Sequence, residues 1–261
     1  MKIDSHIHAD FSSDSTIKME ELIEKAILCH YHFIAFTEHF DLLPREIVNY
    51  GILPLKKYKN RIENLREKYP QIHIAFGLEI GEPHRTKQLR ELLFSYFKPD
   101  YLIGSLHLLK NEKNLSTPIN FSLLESDIML YYQEIVEMID SGGFDTLGHL
   151  DIYKRELTQD FCIKSDFSDM IDLILKKLID KNICLEINYS GFRAKINHFL
   201  PDLSVLKRYL DLGGELITIG SDSHRIDFFD KYFDQTIEIL KDNHVKSIHY
   251  KQDNKWIGIN I

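Results

Sequence analysis

The chain has 261 residues, a length usual for one α/β barrel and sufficient to bury a large interior. Forty acidic against thirty-two basic residues leave a formal charge of -8, which argues against nucleic acid or an anionic membrane surface as a bulk partner. No run reaches about eighteen uncharged apolar residues, the charged first strand leads to the expectation of no signal sequence, and the widely spaced Cys29, Cys162 and Cys184 read as reduced core residues of a cytoplasmic protein.

Taken in order, strand and helix patterns alternate with little between them. Residues 2–7 read as a strand, and a helical pattern over 19–29 leads into a mostly apolar strand at 32–39. A long loop containing Pro44, Gly51 and Pro54 connects to helix 56–68, which ends near Pro70 ahead of a third strand at 72–80. Helix 86–97 precedes strand 101–107, and a polar loop at 110–120 gives way to an amphipathic helix at 123–141, stopped by Gly142-Gly143. A short strand at 146–150, a loop to 164, helix 167–181 and strand 183–188 follow. Helix 202–212 ends at Gly213-Gly214, and 215–220 is the seventh strand. The tail, with a helix at 228–241 and strands at 247–250 and 256–259 around Asp253-Asn254, reads as a capping helix and terminal hairpin.

Seven apolar strands separated by helices predict a parallel sheet covered on both faces. No G-x-G-x-x-G turn follows the first strand, which favours a closed barrel over an open doubly wound sheet. Nothing in the composition divides the chain, so residues 1–261 are expected to form one catalytic domain.

The ends of these strands carry the chemistry. His6 and His8 stand two apart, so a strand's period of two sends both imidazoles to one side as a chelate. An H-x-H pair alone is weak evidence, but His39, Glu79, His107, His149, Asp222 and His224 also stand at or just past strand ends, and Asp14 lies in the first loop. A barrel enzyme assembles its site where the carboxyl ends of its strands meet, so these residues are expected to converge. Six histidines and three carboxylates exceed what one ion takes, which implies two or three ions bridged by a carboxylate. Glu79 follows the apolar run 74–78, where a lone carboxylate is costly; bridging two cations supplies its partner. The other seven histidines read as surface or core residues, with His84 and His198 placed on loops where they could line the pocket.

Asp4-x-His6-x-His8 with Ser12-x-Asp14, Thr37-Glu38-His39, Gly77-Leu78-Glu79, Ser105-Leu106-His107, Gly148-His149-Leu150-Asp151 and Gly220-Ser221-Asp222-Ser223-His224 resemble the successive motifs of the PHP superfamily of metal-dependent phosphoesterases. Within it, the chain's size and the segments Glu186-Ile187-Asn188-x-x-Gly191-x-Arg193 and Gly214-x-x-x-Thr218-x-Gly220 most resemble the L-histidinol-phosphate phosphatases of histidine biosynthesis. That resemblance implies a distorted (β/α)7 barrel with three divalent ions at the carboxyl ends of the strands. One ion is implied on His6, His8, Glu79 and Asp222, a second on Glu79, His107 and His149, and a third on Asp14, His39 and His224. Zinc, iron and manganese all suit such nitrogen and oxygen donors. Glu79, Asp222 and His224 are the implied catalytic residues.

Phosphomonoester hydrolysis needs a strong nucleophile and relief of phosphoryl charge, and the expected answer is a hydroxide shared by the first two ions. Arg193 is expected to clamp the phosphate, with Arg155 as a second candidate. Asp4, Glu38 and Asp151 are expected to fix imidazole tautomers; Glu186 and Asn188 meet either the substrate or buried donors. The substrate expected from the resemblance is L-histidinol phosphate, with a PHP-type protein tyrosine phosphatase or a phosphodiesterase or nuclease as alternatives. The absence of a basic, aromatic-interleaved tract stands against the nuclease. A non-enzymatic metal-binding module is disfavoured by so many open-sided loop ligands.

Overall fold

The computed structural model describes residues 1–116, 123–156 and 165–261; Cys162 lies outside them. Strands β1 (Lys2–Ile7), β2 (Tyr31–His39), β3 (His73–Gly81), β4 (Tyr101–Ser105), β5 (Thr146–Leu147), β6 (Cys184–Asn188) and β7 (Ile217–Gly220) form one sheet in chain order. Every neighbouring pair is parallel. Past the last strand, Asp222 N–H donates to His6 O (2.8 Å) and His8 N–H to Ser223 O (3.0 Å), so β1 and β7 meet and the barrel is nearly closed. Fold class is therefore a seven-stranded (β/α) barrel, as expected.

Helices α1 (Met19–Leu28), α3 (Leu55–Lys68), α4 (Lys87–Phe97), α5 (Glu125–Ser141), α6 (Ser168–Lys181) and α7 (Leu203–Asp211) lie between successive strands. Their apolar stripes meet the outward faces of the strands, so the strands are buried on both sides. The long loop expected after β2 contains a further short helix, α2 (Pro44–Tyr50). Pro44 stands in its first turn, where a missing N–H costs nothing, but seven residues are too few to show helical periodicity.

Two strands end earlier than expected. β4 stops at Ser105 because the N–H groups of His107 and Leu108 turn to the Glu82 carboxylate (2.7 and 2.8 Å). β5 stops at Leu147 because His149 N–H is taken by Glu186 (2.5 Å). In both cases a side chain replaces the sheet partner where the site begins. α8 (Phe233–Asp242) starts five residues later than the pattern at 228, since Asp230 adopts a left-handed φ of 67°. The tail forms an antiparallel hairpin, β8 (Ser247–Gln252) and β9 (Lys255–Asn260), turning at Asp253 and Asn254 with positive φ at both. Tyr250 packs on Phe33 and Trp256 on Tyr101, so the hairpin plugs the amino-terminal end of the barrel and leaves the opposite end for the site.

The fully buried Tyr58 of α3 ties the strands that deliver His39 and Glu79: its hydroxyl donates to Phe36 O (2.7 Å) and Gly77 O (3.0 Å). Tyr58→Phe keeps the ring and orphans those acceptors. It is expected to lower unfolding stability by about 1 kcal/mol, read as a lower denaturant midpoint at unchanged slope; an unchanged midpoint would show that the bond contributes nothing.

Candidate metal centre

The in-register pairing of β2 with β3 sets His39 beside Glu79, and closure of the barrel sets His6 and His8 beside Asp222. Asp4 secures that closure by accepting from Ser221 N–H (3.0 Å) and His6 N–H (3.2 Å). Asp222 itself sits at φ 50°, a left-handed conformation that aspartate tolerates and that aims its carboxylate into the barrel mouth.

Glu79 is the centre of the cluster and is 1% exposed. Its Oε1 lies 2.7 Å from His149 Nε2, 3.3 Å from His107 Nε2 and 3.5 Å from His6 Nε2. Its Oε2 lies 3.0 Å from His39 Nδ1 and 3.3 Å from His8 Nε2. Asp222 Oδ1 approaches the Nε2 atoms of His8 (3.6 Å) and His6 (3.8 Å). On the outer side, Asp14 Oδ2 is 3.3 Å from both His39 Nε2 and His224 Nε2. All nine expected ligands therefore meet at one end of the barrel.

The residues around them do not all do what the sequence suggested. Asp4 holds main chain; Glu38 accepts from Ala9 N–H (3.0 Å) and from the Ser12 hydroxyl, which in turn faces His8 Nδ1 (3.3 Å). Asp151 accepts from Tyr132 and Lys154. None of the three bonds an imidazole directly, because other donors occupy them: main-chain N–H groups for Asp4, the Ala9 N–H and Ser12 hydroxyl for Glu38, and the Tyr132 hydroxyl and Lys154 ammonium for Asp151. Glu186 does: its Oε1 is 2.6 Å from His6 Nδ1, and its Oε2 takes the N–H of His149 and the amide of Asn188 (3.2 Å). A carboxylate on that nitrogen leaves His6 Nε2 free for a metal.

The electrostatics of this cluster follow from burial and crowding. Burial disfavours a charged His6, but Glu186, Glu79 and Asp222 outweigh it and raise its pKa well above the ordinary value. His107 is raised against burial by Glu79 and Asp41, and His39 is pushed up to about 10 against burial by Asp14 and Glu79. His8 goes the other way, down to about 3, through burial and the neighbouring His39 and His224. Burial works against ionisation of Glu79 and Asp222 too, yet the surrounding imidazoles hold both below the usual carboxylate range. Without metal, protons thus stand in for cations.

The residues fit a divalent metal centre. Nε2 of His39 is buried with no hydrogen-bond partner and stands 3.3 Å from the Asp14 carboxylate. Three trios drawn from the expected ligands, His8-His39-His224, His6-His8-Asp222 and His6-Glu79-His149, each place their donor atoms within 4.8 Å of one another. Imidazole and carboxylate in this mixture suit zinc, iron or manganese.

A cavity of about 320 Å³ opens over the cluster, walled also by Tyr50, Ser116, Arg155, Ser190 and Arg193. Both arginines sit on one-turn helical segments, Ile152–Glu156 and Tyr189–Arg193. Arg155 pairs with Asp222 Oδ2 (3.2 Å), while Arg193 donates to the carbonyls of Ser221 (2.8 Å) and Asp222 (2.9 Å) and stacks on Phe228. Tyr50, from the helix hidden in the second loop, stacks on His39 (4.3 Å between ring centroids) and pairs its hydroxyl with Ser116 Oγ (2.6 Å). His84 and His198 do not line the cavity: one faces Glu134 and the other lies against the carbonyl of Phe199.

The PHP domain family matches residues 4–190, and the chain belongs to that family. It is 27% identical to a probable histidinol-phosphatase of Clostridium acetobutylicum, over 97% of this chain and 98% of that protein. A histidinol-phosphatase of Lactococcus lactis is 28% identical over 85% of this chain and 84% of its own length. The crystal structure of the Lactococcus lactis histidinol phosphate phosphatase, complexed with zinc, L-histidinol and phosphate, superposes with a TM-score of 0.84 at 25% identity, covering 98% of both chains.

The neighbouring carboxylates raise the pKa of His6, His39 and His107, so these rings are expected to carry protons that zinc displaces. Zinc titration near neutral pH is expected to release protons, and affinity to rise with pH. Calorimetry in buffers of differing ionisation enthalpy reads this directly; buffer-independent heats would contradict the charge state described. Glu79→Gln is expected to lower both zinc occupancy and turnover, and normal values of both would remove Glu79 from the centre.

Proposed function

We propose that the chain hydrolyses L-histidinol phosphate to L-histidinol and phosphate at a trinuclear metal centre, as a phosphoric monoester hydrolase of histidine biosynthesis. The observation that carries this reading is Glu79, one carboxylate within 3.5 Å of five imidazoles, at the floor of a cavity walled by two arginines. Likeness to a structure holding zinc, L-histidinol and phosphate supports the same substrate, and the cavity is of a size that suits a small molecule.

His6, His8, Glu79 and Asp222 would hold one ion, Glu79, His107 and His149 a second, and Asp14, His39 and His224 a third. Divalent ions so held would supply a water that is acidic near pH ~7 and offset charge on phosphoryl oxygens. Glu79 spans two subsites, and Asp222 joins the metal cluster to Arg155. His224, at the cavity wall, keeps Nε2 toward Asp14 because its Nδ1 faces the Asp222 carbonyl (3.0 Å).

Arg155 and Arg193 bring two guanidinium charges to the cavity on either side of Asp222, where they bind the substrate dianion and orient it for in-line displacement. Each terminal nitrogen of Arg193 carries two protons and uses one on the main chain, so the other serves the phosphate while the loop holds the fork in place. Residues 1–261 act as one catalytic unit. Among the described residues no helix is long and apolar enough to cross a membrane. A biosynthetic phosphatase whose Cys29 and Cys184 are unpaired works in the cytoplasm.

A panel of L-histidinol phosphate, an aryl phosphate, a phosphotyrosine peptide and an aryl phosphodiester, assayed after zinc reconstitution, tests the reading. The highest kcat/KM is expected on L-histidinol phosphate; a preference for the peptide or diester would overturn the assignment. Arg193→Ala is expected to lose roughly ten- to a hundredfold in kcat/KM on both monoesters, and Arg193→Lys to recover only part. Full activity of the Ala variant on both would take Arg193 out of the phosphate site.

A further inference from the structure

Asp41 follows β2 by two residues and is buried, with both carboxylate oxygens lacking any hydrogen-bond partner among the described residues. An ionised carboxylate cannot remain so in a packed interior without strong cost, so it is placed for donors that turn to meet it. Two stand within reach. Asp41 Oδ2 lies 3.6 Å from Nδ1 of His39, and Oδ1 lies 3.7 Å from Nδ1 of His107. Both gaps exceed a charge-assisted hydrogen bond by roughly 0.8 Å, which a modest ring rotation closes.

The seat is built for this carboxylate. A Cβ on Gly81 would fall 1.9 Å from Asp41 Oδ1 and 3.7 Å from His107 Nδ1, so only glycine there lets the oxygen lie beside that ring. Phe40 N–H bonds Glu79 O (2.7 Å) and extends the β2–β3 pairing to the edge of Asp41, while Glu82 takes the main-chain N–H of His107 and leaves its ring to another acceptor. His39 Nδ1 is also 3.0 Å from Glu79 Oε2, but that contact is not aligned for a hydrogen bond, and Glu79 faces the proposed ions.

We infer that Asp41 is a shared positioning residue, accepting Nδ1–H from His39 with one oxygen and from His107 with the other, so that both rings present Nε2 to metal. The inference rests on the ligand assignment proposed above. It makes one carboxylate common to two subsites: His107 serves the second ion and His39 the third. An orienting partner of this kind changes metal affinity about ten- to a hundredfold when removed.

Two variants test it by different routes. Asp41→Asn keeps shape but has one acceptor oxygen, so it can serve one ring while its amide opposes the other. Gly81→Ala keeps the charge and pushes the carboxylate off its seat. Zinc retention against a competing chelator and long-range ¹⁵N–¹H spectra of the histidine rings are read on zinc-loaded wild type and both variants. Wild type is expected to hold three zinc ions with His39 and His107 as Nδ1–H tautomers. Asp41→Asn is expected to disturb one of the two rings and weaken one subsite by roughly ten- to a hundredfold, and Gly81→Ala to disturb both. Unchanged ring spectra and zinc retention in both variants would overturn the inference while leaving the metal centre standing. Zinc on Nδ1 of either ring would overturn it too, making the trio with Asp41 a metal site. Wild type that retains no zinc would bring down the ligand assignment and the inference together.

Discussion

The structure depends on a carboxylate that has no business being dry. Glu79 stands near the carboxyl end of an apolar strand, is 1% exposed, and has five imidazoles within 3.5 Å of its carboxylate. A buried anion must be compensated, and here the compensation is either protons on His6, His39 and His107 or cations held by the same rings. That exchange explains why β1, β2 and β4, with little else in common, each carry a histidine at or just past the carboxyl end. It also explains why the ligands come from all around the barrel: only a closed sheet brings β1, β3, β5 and the loop after β7 to one point.

Closure and chemistry are therefore the same interaction seen from two sides. The hydrogen bonds that join β1 to the chain after β7 involve the main chain of His6, His8, Asp222 and Ser223, which are proposed ligands or their neighbours. Asp4, in turn, spends its carboxylate on Ser221 and His6 N–H groups, and burial raises its pKa to about 7. Arg193 fastens the same turn through two carbonyls before it reaches the cavity. The far end of the barrel, sealed by the β8–β9 hairpin, carries none of this.

Much of this was legible in the residues alone, for physical reasons. Parallel strands buried on both faces are nearly continuous apolar runs, so the polar residue that ends each run stands out; His39, Glu79, His107 and Asp222 were visible this way. Strand periodicity paired His6 with His8. Residues that act through loops were harder. Tyr50 sits on a seven-residue helix with no readable period, and Asp41 looks like any aspartate before a turn. Glu186 was visible as a polar residue in β6, but only the folded barrel reveals that it serves His6 and His149, which lie far from it in sequence. Asp4, Glu38 and Asp151 illustrate the converse: adjacency to an expected ligand suggested a bond to its ring, whereas donors brought in by the fold, Ser221 N–H, Ala9 N–H and the Tyr132 hydroxyl, occupy them.

The most direct test of the account is where metal scatters. Crystals of zinc-loaded protein, measured on both sides of the zinc absorption edge, are expected to show two anomalous peaks flanking the Glu79 carboxylate and a third among Asp14, His39 and His224. A single peak, or zinc that leaves Glu79 with contact to no more than one ion, would contradict the bridging role on which the rest of the argument stands.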